Sequence, residues 1–398
     1  IKTGLTSPDT IAIHRYLQNI KKNKIDNVII EASSHGLTQN RLHHINFKAG
    51  IFTNFSQDHL DYHKSMKAYF NAKLILFEKI LSKNSKIVLD KTIKQFFFLK
   101  EIAKKRKLNL IEIDKTIKKI NNLLISTESD FKVKNLAMAI VATKLCGLKD
   151  SEIYKSLKKV KDVSGRLEFI KRFPNNIKVF IDYAHTPDAL LKTLQLLEKK
   201  YGKNISLVFG CGGERDKKKR PLMAQVANSL SRKIYITDDN PRNEDPKQIR
   251  AELEKKIDRN KCFNIGNRTE AIKKSIINSE PNGIVLIAGK GHEEQQIYKN
   301  KILYISDKQI VRNLKLRIKV LSKKDQNYLQ NRMIIKKITG RVKSGNYEGL
   351  KIDSRMVKKN NLFLTIKGMK SDGIKFIPDA LKKGARYVVS SKKIKKYE

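Results

Sequence analysis

Four stretches of this sequence gather side chains that chemistry needs. The first is Asp58-His59-Leu60-Asp61-Tyr62-His63, followed by Ala72-Lys73. On a helix, His59 and His63 would share a face. A zinc-protease helix requires Glu directly after the first His, and Leu60 stands there, so that chemistry is excluded. Mg²⁺ fits better, because it prefers oxygen ligands and tolerates an imidazole, and Glu31 offers a carboxylate upstream. Lys73 as an ammonium would repel a cation. Burial can free its amine, and carbamylation would make it an anionic oxygen ligand. Spacing alone equally allows a solvated helix carrying surface histidines.

The second stretch is Glu31-Ala32-Ser33-Ser34-His35 with Gln39 and Arg41. Hydroxyls, an amide and a guanidinium suit a sugar or a carboxylate, and a helix cap with an exposed face would look the same. The third pairs Gly212-Gly213-Glu214-Arg215-Asp216 with Asp239-Asn240-Pro241-Arg242. Two Arg on neighbouring loops can clamp the carboxylate of an amino acid, although Asn-Pro is also an ordinary turn signal. The fourth is Gly289-Lys290-Gly291-His292-Glu293. Its glycines permit close backbone approach and Glu293 can take an amine, but Gly-x-Gly by itself is weak.

Elements must hold these stretches in place. Short apolar runs separated by helical patterns predict buried parallel strands at Val28-Ile29-Ile30, Gly50-Ile51-Phe52, Ile87-Val88-Leu89, Val179-Phe180-Ile181, Leu207-Val208-Phe209, Ile234-Tyr235-Ile236 and Ile284-Val285-Leu286-Ile287. The fold class is therefore α/β with a mainly parallel sheet. Most of these runs lead straight into the polar stretches above, and ligands of open α/β sheets bind beyond the carboxyl ends of the strands. Thr186, Pro187 and Asp188 mark the start of a helix with Leu190, Leu194 and Leu197 as its buried stripe. This puts Asp182 and His185 on a tight strand-to-helix turn.

Composition narrows the class. At 398 residues and 40% hydrophobic the chain suits two or three domains with real cores. Net charge is +46, from 85 Lys+Arg against 39 Asp+Glu. The basic residues are spread rather than clustered and no nucleic-acid module accompanies them, so the excess reads as compositional bias. A polyanion-binding protein is the non-enzymatic alternative; it would bind random DNA tightly and salt-sensitively. Cys146, Cys211 and Cys262 form neither a disulfide framework nor a zinc site and fit a reducing cytoplasm. No apolar run has the length to span a membrane. Ile1-Lys2-Thr3-Gly4 is neither a signal peptide nor a natural start.

Together the motifs resemble the Mur ligases of peptidoglycan synthesis, over blocks running from Thr6-Ser7-Pro8-Asp9 to Ser306-Asp307-Lys308. Members that add meso-diaminopimelate to UDP-N-acetylmuramoyl-L-alanyl-D-glutamate are the most similar in pattern. The resemblance implies an ATP-dependent carboxylate–amine ligase using Mg²⁺ and working through an acyl phosphate. It implies that Thr6, Ser7, Ser33, Gln39 and Arg41 contact the UDP-muramoyl dipeptide. Glu31 and His59 would hold Mg²⁺ with a carbamylated Lys73. Asn135, Arg166, Asp182, Tyr183 and His185 would meet ATP. Arg215, Asp239, Asn240, Pro241, Arg242, Gly289 and Glu293 would bind diaminopimelate, and lysine-adding members differ at 239–242. A folylpolyglutamate-synthase-like ligase shares the chemistry and is the alternative enzyme, argued against by the Ser-Ser-His and Asn-Pro-Arg blocks.

The implied architecture is a P-loop-type central ATPase domain, incomplete at its N-terminal side, over 1–163. A Rossmann-like ligase domain covers 164–318. A linker at 319–332 leads to a small α/β domain of UDP-substrate type over 333–398. That last stretch carries Asp353-Ser354-Arg355, Asn361-Leu362-Phe363, Lys367-Gly368, Asp372-Gly373 and Gly384-Ala385. It resembles the start of the Mur ligase that adds D-alanyl-D-alanine, as in a two-ligase fusion. The family's Gly-x-x-Gly-Lys-Thr phosphate loop is expected upstream of Thr6 and is not in this sequence. Lys290 is no substitute, since Gly291 follows it where Ser or Thr is needed. The chain by itself is therefore expected to be inactive or nearly so. Diaminopimelate-dependent ATP hydrolysis by it, measured as phosphate release, would contradict that expectation.

Overall fold

A computed structural model describes residues 5–123, 130–160, 162–315, 348–365 and 373–389. The chain divides into two compact units, Ile1–Leu316 and Arg317–Glu398. The expected linker at 319–332 and the start at Met333 lie outside the described residues, as do Lys367, Gly368 and Asp372.

The first unit holds two sheets. Strands β1 (Ala49–Ile51), β2 (Lys86–Leu89) and β3 (Asn109–Glu112) form a parallel sheet in that order. Successive side chains of a strand point to opposite faces, and both faces here are covered. Ile87 and Leu89 pack with Phe52, Leu74, Phe77 and Leu99. Val88 packs on the other side with Ile113, Met138, Ile140 and Val141. Six strands form the second sheet: β4 (Glu168–Phe173), β5 (Ile177–Asp182), β6 (Ile205–Phe209), β7 (Lys233–Ile236), β8 (Cys262–Asn264) and β9 (Ile284–Ala288). Their order is β4-β5-β9-β6-β7-β8, with only β4 antiparallel to its neighbour. Leu207, Phe209 and Leu286 face the helices Pro187–Tyr201 and Lys219–Leu230. Val208, Val285 and Ile287 face the helices Arg268–Ile277 and Asp307–Asn313. Burial on two sides is why these strands are unbroken apolar runs.

Six of the expected strands are present, and one is not. Val28-Ile29-Ile30 belongs to no strand among the described residues, and Ile29 is 78% exposed. An apolar run becomes a buried strand only beside a hydrogen-bonding neighbour, and none of the described strands pairs with this one. β3, β4 and β8 were not anticipated: β3 and β8 hold no fully buried residue and no apolar run, and β4 is polar enough (Lys171, Arg172) to hide its pattern. Nor was the antiparallel hairpin of β10 (Gln295–Tyr298) and β11 (Lys301–Tyr304). The helix after β5 starts at Pro187, where the Thr186 hydroxyl accepts the amide of Ala189 at 3.3 Å.

A buried ion pair ties together the carboxyl end of the second sheet, beside the end of β9. The Arg268 Nε donates to Asp307 Oδ1 at 2.8 Å and its Nη2 to Oδ2 at 2.7 Å, while Nη2 also reaches the carbonyl of Ala288 at 3.0 Å. Both side chains are fully buried. The second unit carries β12 (Gly349–Lys351), β13 (Asn361–Leu364) and β14 (Tyr387–Val389), all parallel, with Val357, Phe363, Ile377 and Ala380 as a small core. Both units are thus mixed α/β with parallel sheets. Removing one partner of a buried pair strands the other charge. Asp307→Ala is expected to lower unfolding stability by about 3–5 kcal/mol in urea titration, whereas an effect below about 1 kcal/mol would show the pair to be dispensable.

Candidate active site

Polar stretches from both sheets meet in the first unit. The loop after β1 carries Gln57 and Asp58 to the strand ends of the second sheet. Gln57 Nε2 donates to Asp216 Oδ2 at 2.9 Å, His185 Nε2 lies 3.3 Å from Asp58 Oδ2, and Lys219 Nζ lies 3.8 Å from Asp58 Oδ1. Arg215 approaches Asp61 at 3.9 Å. Burial opposes charge on Asp58. The hydrogen bond to His185 and the charges of Lys219 and His59 outweigh it, holding the carboxyl well below the usual carboxylate range. Asp58 Oδ1 also accepts the amide of His59 at 2.9 Å, which helps hold His59 at φ 56. That conformation is uncommon for a residue other than glycine and is often found at functional sites.

The expected helix over the two histidines begins only at Leu60, so His59 caps it rather than belonging to it. Both rings nonetheless gather on His35, at 5.0 Å for His59 and 5.5 Å for His63, with Tyr69 beside them. Crowding and burial leave little room for a proton. His63, hydrogen bonded to Ser34 Oγ at 2.9 Å, is pushed down to about 4 by burial and then by His35, His59 and Lys73. His35 and His59 are lowered too, chiefly by burial. Lys73 Nζ lies 5.0 Å from the centre of the Tyr69 ring. Burial lowers its pKa, against the pull of Asp58 and Glu31.

The Ser7 hydroxyl, fully buried, donates to the carbonyl of Glu31 at 2.8 Å and accepts the amide of Ser33 at 3.0 Å. Arg41 donates to the Ser7 carbonyl at 2.7 Å and pairs with Gln39, whose amide reaches Tyr62 Oη at 3.1 Å. One network thus joins Ser7, Ser33, Gln39 and Arg41; Thr6 lies exposed next to Ser7, and Glu31 is exposed. At the end of β5, Asp182 accepts the amides of Leu167 at 2.6 Å and Ala184 at 2.8 Å, and burial raises its pKa. The Arg166 guanidinium stacks 4.4 Å from the centre of the Tyr183 ring. Asn135 is exposed on the helix Asp130–Leu145, outside these networks.

The remaining residues converge at the ends of β7 and β9. Glu293 Oε1 accepts Tyr183 Oη at 3.1 Å, and Oε2 accepts Asn240 Nδ2 at 3.2 Å. Gly289 donates its amide to the Asp182 carbonyl at 3.1 Å. Arg242 reaches the Gly213 carbonyl at 2.8 Å, and its own amide donates to the carbonyl of Ile297 in the hairpin at 3.0 Å. The pKa of Arg242 is lowered by burial and then by Arg215, with Asp239, Glu293 and Glu214 opposing. Gly213 is required: a Cβ there would sit 1.9 Å from the carbonyl oxygen of Pro241. Sequence reasoning did not single out Lys219, which looked like one of a surface run of lysines but is buried. It also passed over the hairpin behind Arg242.

Comparison with known proteins decides the family. Residues 1–149 match the Mur ligase middle domain, 165–291 the glutamate ligase domain of Mur ligases, and 346–396 the Mur ligase family catalytic domain. The UDP-N-acetylmuramoyl-L-alanyl-D-glutamate–2,6-diaminopimelate ligase of Rickettsia montanensis is 40% identical over 331 residues, covering 77% of this chain and 68% of that protein. The chain belongs to the Mur ligase family. The ligase of the same name from Buchnera aphidicola subsp. Schizaphis graminum is 37% identical over 349 residues, covering 81% of this Mur ligase and 69% of its own length. Among solved structures, folylpolyglutamate synthase of Mycobacterium tuberculosis, complexed with ADP and AMPPCP, has a TM-score of 0.51 at 15% identity over 62% of each chain, a likeness of fold. As a Mur ligase the chain is of the ATP-dependent acid–amino-acid ligase class, in peptidoglycan biosynthesis.

The site's histidines offer a direct check. Because the folded state resists protonating His63, the unfolded state binds the extra proton first as pH falls, and stability drops between the ordinary histidine value and about 4. Titration followed by ¹H–¹⁵N NMR is expected to give a midpoint near 4 for His63; one near the ordinary histidine value of about 6.5 would contradict the packing described.

Proposed function

We propose that this Mur ligase adds meso-diaminopimelate to UDP-N-acetylmuramoyl-L-alanyl-D-glutamate, at the expense of ATP. The observation that carries the proposal is the Arg215–Arg242 pair beside Glu293. Both side chains flank Gly212, where an added Cβ would meet Arg242 Nη1 at 3.0 Å and Arg215 Cγ at 3.6 Å, and the pKa of Arg242 is lowered by burial and then by the like charge of Arg215, against Asp239, Glu293 and Glu214. An incoming carboxylate relieves that repulsion, while Glu293 faces an ammonium. Diaminopimelate brings both groups, and its second carboxylate is what lysine lacks. The names of the Rickettsia and Buchnera relatives support the same substrate pair.

In this reading Thr6, Ser7, Ser33, Gln39 and Arg41 receive the UDP-muramoyl dipeptide, and Arg166, Tyr183, His185, Asp182 and Asn135 line the nucleotide side. Ser7 and Asp182 work mainly by fixing backbone, since their polar atoms are already engaged. Among the described residues no group of three or more His, Cys, Asp or Glu gathers to hold a metal. The donors present fit a cation completed by phosphate oxygens and water, which is how Mg²⁺ is usually bound. Glu31, His59 and a carbamylated Lys73 would be its protein ligands. The lowered pKa of Lys73 suits the free amine that carbamylation needs. Bound there, Mg²⁺ would supply neutralisation of phosphate charge.

The D-glutamyl carboxylate of the substrate displaces ADP from the γ-phosphate of ATP, giving an acyl phosphate. The diaminopimelate amine adds to its carbonyl carbon, the tetrahedral adduct expels phosphate, and the nitrogen loses its proton to leave an amide. The chain's own part is to orient the two substrates and balance charge. We assign 1–163 to the central ATPase part, 164–318 to the amino-acid part, and the segment from 333 onward to the start of a second, D-alanyl-D-alanine-adding ligase. The match of 346–396 to a Mur ligase domain lying after the other two supports that order.

The test is calorimetric titration of the chain with meso-diaminopimelate, L-lysine and L-glutamate. Tightest binding is expected for diaminopimelate, and Arg242→Met should weaken it about 30-fold or more while sparing lysine, as expected for loss of a half-buried charge partner. Equal affinities for diaminopimelate and lysine, or preference for glutamate, would overturn the assignment.

A further inference from the structure

The Gly289-Lys290-Gly291 motif contains a charge that the mechanism above does not use. Lys290 is fully buried, and a buried ammonium persists only with partners. Its Nζ lies 3.4 Å from Asn240 Oδ1 and 3.5 Å from Glu293 Oε2, and it donates to the carbonyl of Gln295. Those partners come from three separate segments: the loop after β7, the loop after β9, and the first strand of the hairpin.

We propose that Lys290 is a positioning residue that makes the amino-acid subsite selective for an ammonium group, an inference that rests on the subsite reading above. Lys290 and the amide of Ile297, which donates at 2.9 Å, both occupy Asn240 Oδ1. The side-chain amide is therefore fixed with Nδ2 toward Glu293 Oε2. Tyr183 holds the other oxygen. Glu293 is thereby clamped from three sides, yet about a third of its side chain remains exposed. What stays open is a carboxylate of fixed orientation and negative charge, which favours a ligand cation and disfavours a neutral or anionic end. Gly291, at φ 56 and against the carbonyl of Gly165 and Tyr183, lets the chain turn so that Lys290 points inward. A merely structural lysine would support the whole subsite equally. A lysine acting through Glu293 affects only ligands that carry the amine.

The discriminating pair of probes is meso-diaminopimelate and pimelate, the same seven-carbon diacid without its amines, titrated into the full chain. Lys290→Met and Lys290→Gln are expected to weaken diaminopimelate at least 30-fold and to change pimelate less than 3-fold. Lys290→Arg, which keeps the charge, should recover most of the loss. Lys290→Gln retains a hydrogen-bond donor, so it separates charge from packing if the Met variant does not fold. Equal losses for both probes, or none for either, would overturn the inference while leaving the subsite reading intact. Failure of the unaltered chain to bind diaminopimelate would overturn that reading and this inference together.

Discussion

A parallel sheet covered by helices on both faces has nowhere to put reactive polar groups except its strand ends. Both sheets of the first unit obey this constraint, and the loop after β1 brings their ends together. Asp58 is the contact on which that meeting turns. Its carboxylate receives His185 and Lys219 from the six-stranded sheet and the amide of His59 from its own loop. One carboxylate therefore orients His59 while holding the strand ends of the second sheet against its own loop.

Charge is arranged around that contact in opposing patches. The His35, His59, His63 and Lys73 cluster is crowded with bases whose protonated forms are disfavoured by burial. This is a suitable environment for an incoming cation and for an amine free to react. From the second sheet, Arg215 and Arg242 repel one another near Glu293, and Arg215 also approaches Asp61 at 3.9 Å. Perturbed ionisable groups gathered in this way are common at functional sites.

Much of this was legible in the residues. The apolar runs at Ile87–Leu89 and Ile284–Ile287 could be read because strands buried on both faces carry no polar alternation to confuse with a helix. The polar stretches after them followed from strand-end geometry. Val28–Ile30 misled because composition reports the wish for burial and not the presence of a partner strand. Lys219 and the hairpin were illegible for a different reason. A lysine within Lys217-Lys218-Lys219 has nothing local to mark it as buried, and the Gln295–Tyr304 hairpin is fixed by contacts to Asp238, Asn240 and Arg242 from far along the chain.

The central claim is that the strand ends of the second sheet form an amino-acid subsite whose carboxylate clamp, Arg215 with Arg242, stands beside its ammonium acceptor, Glu293. A crystal structure of the chain soaked with meso-diaminopimelate tests this most directly. The account places one ligand carboxylate between Arg215 and Arg242 and an ammonium on Glu293 and Asn240. Ligand bound elsewhere, or with a carboxylate against Glu293, would contradict it.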